Sequence, residues 1–70
     1  MAHTLKIIAE NVRRRRTAVG LSQEELAERA GLHRTYVGAI ERAERNISIA
    51  SLEKLANGLG CAVADLVKSA

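Results

Sequence analysis

Residues 23–42, QEELAERAGLHRTYVGAIER, place two short helical patterns on either side of one glycine, Gly31, and that spacing leaves few folds open. Leu26, Ala27, Ala30, Leu32, Val37 and Ile40 are small or apolar, and they fall where two helices crossing at a steep angle must touch. The second pattern keeps its other side polar. His33, Arg34, Thr35, Gly38, Ala39 and Arg42 are expected along one outward face. Donors and small contacts on such a face suit base edges in a DNA groove.

The rest of the chain supports that pair. Seventy residues bury only roughly 60% of their unfolded surface, so the core must be economical and a second copy would add stability. With 47% apolar residues, Tyr36 as the one aromatic and no proline, the core must be aliphatic, which predicts one all-α domain over residues 1–70. The net charge is +3, and the excess sits early: residues 1–35 carry seven Lys/Arg against four Glu, residues 36–70 four against four. A basic surface of this kind fits a polyanion. A single cysteine, Cys61, excludes an internal disulfide and reads as a small core residue, and with only His3 and His33 no metal cluster is suggested. No cofactor is implied. The absence of a signal-like run or of roughly 20 consecutive apolar residues makes the cytoplasm, without membrane contact, the expected location.

Five helices are predicted. Thr4 can cap a first helix running to about Val19, with Leu5, Ile8, Val12 and Val19 as its stripe and Gly20 as its stop. Within it Arg13 and Arg14 read as a solvated basic face. Ser22 and Glu25 have capping-box spacing, so the second helix starts near Gln23 and ends at Gly31. The third begins near His33 or Arg34, and its pattern breaks at residues 43–46. Ser48 can cap a fourth helix with Ile49, Leu52, Leu55, Ala56 and Leu59 buried and Gly60 closing it; a short last helix carries Val63, Leu66 and Val67.

LSQEELAERAGL at residues 21–32 resembles the opening of the lambda-repressor-like (XRE/Cro) helix-turn-helix family, and the likeness extends over nearly the whole chain. HRTYVGAIERAERNISIASLEKLANGLG, residues 33–60, looks most like its restriction-modification controller branch. The resemblance implies a compact five-helix DNA-binding domain with His33, Arg34, Thr35, Gly38 and Ala39 at bases. It puts Ser22, Gln23, Tyr36, Arg42, Arg45 and Asn46 at the DNA backbone. Guanine suits a bidentate Arg34, and thymine the methyl of Thr35. Several roles stay open: His33 either caps the helix or reaches DNA, Tyr36 either touches DNA or packs, and Gly38 admits either DNA or the fourth helix closely. Arg16 and Glu41 match a partly buried ion pair of the family. Arg15 departs from its usual apolar residue, so either the helix is rotated or the Arg stem covers the core. Ala62 replaces a usual Ser or Thr cap, which leaves the last helix to fray or to depend on a partner chain.

The function expected is a homodimeric transcriptional regulator on a pseudo-palindromic double-stranded operator, with Ile47, Ile49, Leu66 and Val67 at the dimer surface and RNA polymerase as a further candidate partner. The alternative is an antitoxin-like or adaptor domain that uses the fold for protein interaction, against which the donors at residues 33–35, 42 and 45 argue. An enzyme is not expected, because the chain has no paired carboxylates beside a histidine, no phosphate-cradling glycine loop and little volume for a pocket.

Overall fold

The computed structural model describes residues 2–69, which form α1 (Ala2–Ala18), α2 (Gln23–Ala30), α3 (Arg34–Glu41), α4 (Ile49–Leu59) and α5 (Val63–Val67). α3 packs against both α2 and α1, with α4 against α2 and α5 against α1. Val12, Leu26, Val37, Leu55 and Leu66 are fully buried where the five helices meet. None of the described helices is long and apolar enough to cross a membrane.

Helix boundaries follow from local chemistry. The Ser22 hydroxyl accepts the Glu25 N–H at 3.0 Å while the Glu25 carboxylate accepts the Ser22 N–H at 2.8 Å, a complete capping box. That backbone bond holds the Glu25 carboxyl below its ordinary pKa. Ser48 caps α4 through Ser51 N–H at 3.0 Å. Thr4, in contrast, is no cap: α1 already runs through it from Ala2, since nothing in the first turn stops a helix and alanine favours one. Val19, expected in the buried stripe, lies past the helix end and is 54% exposed; Leu21 fills the core position instead.

Four helices close in the same way. The residue after the C-cap turn takes positive φ, and its N–H and the next one bond back to carbonyls of the last turn: Gly20 and Leu21, Gly31 and Leu32, Ala43 and Glu44, Gly60 and Cys61. At Gly31 this turn sets the crossing of α2 and α3. At Ala43 the same geometry (φ 58°) is imposed on a residue with a Cβ.

Two expectations about α4 and α5 change. Ile49 is 71% exposed, because the first residue of α4 points away from the core that Leu52, Leu55, Ala56 and Leu59 fill. Leu66 is fully buried against α1 and so is unavailable to a partner. The last helix does lack a side-chain cap at Ala62, yet it is tied within the chain. The Asp65 carboxylate accepts the Ala62 N–H at 3.0 Å, and the buried Asn11 amide donates to Leu66 O and Lys68 O, both at 2.9 Å. Arg15 lays its stem beside the core and sends its head towards Asp65, 3.8 Å away. Cys61 is half-buried beside the core, and burial pushes its thiol pKa up. The close approach of α4 falls at Gly58, where a Cβ would stand 3.1 Å from Leu26 Cδ1, and not at Gly38.

Ala43→Gly should therefore stabilise the fold. Left-handed backbone costs a non-glycine roughly 1–2 kcal/mol, and the greater freedom of unfolded glycine offsets about 0.4–1 kcal/mol of the relief. Urea unfolding should show a higher midpoint at unchanged slope; a lower midpoint would mean that the Ala43 methyl makes a contact of greater worth than the strain.

Candidate nucleic-acid interface

Glu41, at the end of α3, is 5% exposed and accepts from two other segments. Arg16 of α1 grips it with Nε to Oε2 at 2.7 Å and Nη2 to Oε1 at 3.0 Å, and spends Nη1 on Leu21 O at 2.8 Å. Gln23, the first residue of α2, donates Nε2 to Oε1 at 3.0 Å. Hydrogen bonding to Glu41 raises the Arg16 pKa further, outweighing partial burial, so the guanidinium is always charged. The pair expected from sequence is thus a three-residue network, and Gln23 is its outermost member.

Beyond the network lies an open cleft of about 230 Å³ lined by Gln23, Glu24, Arg34, Thr35, Gly38 and Arg42. At about 100° per residue, positions 34, 35, 38 and 42 share one side of α3. Arg34, Thr35 and Arg42 are exposed there, and Gly38 forms the floor beneath the ends of Arg42 and Gln23. A Cβ on Gly38 would lie 3.1 Å from Arg42 Nη1 and 3.3 Å from Gln23 Oε1. Ala39 falls outside this arc and is only 7% exposed, so it belongs to the core and not to the outward face.

Ser22, His33, Tyr36, Arg45 and Asn46 lie outside the cleft lining. Ser22 is exposed but its oxygen serves the capping box. His33 is exposed and caps α3, with Nδ1 accepting the Thr35 N–H at 3.1 Å. Tyr36 is half-buried against the core, and its hydroxyl makes a long 3.4 Å bond to Asn46 O. The Arg45 guanidinium lies over the Tyr36 ring, 5.7 Å from its centre. Arg42 pairs with Glu44 at 2.9 Å on the surface, and Asn46 is exposed. Asn46, Ile47, Ile49 and Val67 line a separate groove of about 460 Å³ that also takes in Thr4, Leu5, Ile8 and Leu52. Sequence reasoning missed Glu24 in the cleft, since an acid in a first helical turn reads as a complement to the helix dipole. It also missed the α1 side of the apolar groove.

The chain belongs to the helix-turn-helix family of DNA-binding regulators, whose sequence pattern matches residues 12–66. It is similar to the control protein C.SmaI of Serratia marcescens, with 52% identity over 62 residues that span 89% of this chain and 74% of that one. Among solved structures, the restriction-modification controller protein C.AhdI from Aeromonas hydrophila shares 45% identity at a TM-score of 0.86, over 89% of this chain and 94% of that one. The hypothetical transcription factor NHTF from Neisseria shares 44% identity at a TM-score of 0.91, over 94% and 76%.

Gly38→Ala separates the cleft from the core. Removing a helix-interior glycine favours the fold by up to about 1 kcal/mol, and the new methyl meets only side-chain ends, the exposed Arg42 head and the Gln23 amide, which need shift by a few tenths of an ångström. Thermal unfolding should be unchanged or shifted up while DNA affinity falls. A loss of more than about 1 kcal/mol of stability would show that the floor is packed as core.

Proposed function

We propose that the chain binds DNA as a homodimer on a pseudo-palindromic operator, in the cytoplasm, and serves as the controller of a restriction-modification system. The observation that carries this reading is the cleft itself: Gln23, Arg34, Thr35 and Arg42 converge on one side of a short helix over a glycine floor. Arg34 is free of any ion pair among the described residues and can span guanine O6 and N7, while Thr35 offers a methyl to thymine. Ser22 and Gln23 at the α2 N-terminus, with Tyr36, Arg42, Arg45 and Asn46 beyond α3, suit phosphates. The controller role rests on the similarity to C.SmaI and C.AhdI.

A second copy is called for by geometry and by surface. One α3 of eight residues reads only a half-site, and two copies about a two-fold axis would set their helices about 34 Å apart, in successive major grooves. The groove between α1, the α4 start and α5 leaves Ile49 71% and Val67 39% exposed, which a monomer does not use. Leu66 and Ala39 take no part in either surface.

Selection from random DNA should return two related half-sites one helical turn apart, recurring beside methyltransferase and endonuclease genes. On that site Arg34→Ala should cost about 1–3 kcal/mol and relax preference at one base position. Arg45→Ala should weaken all sequences alike and lower the salt slope by about 1. Equal losses on selected and random DNA for both variants would remove Arg34 from base reading.

Ile49→Asp tests the pairing surface. Because Ile49 is exposed, the monomer should fold as before, while sedimentation at micromolar concentration should shift from dimer to monomer. An unshifted dimer would place the interface elsewhere.

A further inference from the structure

His33 opens α3 with extended backbone (φ −78°, ψ 141°) and lines a groove with Glu24, Glu28, Leu32 and Arg34. Caps of this kind are usually hydroxyls, amides or carboxylates. Here an imidazole nitrogen does the work, with Nδ1 accepting the Thr35 N–H at 3.1 Å. A nitrogen that accepts carries no proton, so in the uncharged ring the proton is on Nε2. No hydrogen bond to a described residue occupies Nε2, and the side chain is exposed beside Arg34 and Thr35.

We propose that neutral His33 is a recognition residue with divided duties. Nδ1 organises the start of α3, and Nε2–H donates to an acceptor on the bound DNA, a guanine O6 or N7, a thymine O4 or a phosphate oxygen. The cap fixes the tautomer, and the tautomer makes the outward nitrogen a donor only. His33 therefore selects acceptors at its position and cannot accept from a cytosine or adenine amino group. This rests on the regulator reading above, but it carries its own signature. A neutral donor displaces no counterion from DNA, so its loss lowers affinity without changing the salt slope, unlike loss of an arginine.

His33→Ser keeps an N-cap oxygen and removes the outward donor. The unfolding midpoint should stay put, and affinity for the selected operator should fall roughly three- to tenfold at an unchanged slope of log K against log salt. His33→Ala, which loses cap and donor together, should lose both stability and affinity. A loss confined to the selected site assigns the acceptor to a base edge; an equal loss on random DNA assigns it to a phosphate. Nitrogen NMR of the free chain, well above the ordinary imidazole range, should show the Nε2–H form. The proposal is overturned by a protonated Nδ1 in that spectrum, by unchanged affinity in His33→Ser, or by a salt slope lowered by about 1. A parent chain that selects no DNA sequence would instead overturn the regulator reading.

Discussion

The Glu41 carboxylate, held by Arg16 from α1 and by Gln23 from the start of α2, fixes how three helices stand relative to one another beside the polar cleft. A charge this deeply buried is tolerated because it accepts three hydrogen bonds; with one partner removed, a pair of this kind typically loses about 3–5 kcal/mol. Its contribution is more positional than energetic. A well-packed apolar pair in the same place could match it in stability, but it would leave the Gln23 amide without an orientation. Through Gln23 the network reaches the surface beside the Gly38 floor, whereas the Arg42 head takes its place from Glu44.

Helices of eight, eight, eleven and five residues are too short to persist alone, so α2 to α5 depend on their ends. Ser22, His33 and Ser48 satisfy the N-termini, and a repeated left-handed turn closes four C-termini. The weakest helix, α5, is completed from outside: Asn11 of α1 supplies the donors that its own carbonyls lack. The same tether positions Val67 at the rim of the apolar groove, so α5 takes its place from α1.

The polar cleft and the apolar groove lie on different parts of the surface, and the division follows from residue type along each helix. On α3 the four positions that share one side are Arg, Thr, Gly and Arg, which leaves backbone and donors accessible to a flat ligand. At the start of α4 and the end of α5, isoleucine and valine are left uncovered because the core is already filled by Leu52, Leu55 and Leu66.

The sequence determined by itself the five helices, the turn at Gly31, the two serine caps and the family, because capping residues, glycines and apolar spacing act over a few neighbouring positions. It also paired Arg16 with Glu41 by resemblance. Tertiary structure decided what depends on direction and on distant neighbours. Ala39, Leu66, Ile49 and Val19 are all small or apolar in the sequence, and only packing sends the first two inward and the last two outward. Ala43 carries no mark of a left-handed turn, and Asn11 no mark of a partner 55 residues away. Local chemistry ends a helix, but only the assembled core settles which of its faces remains exposed.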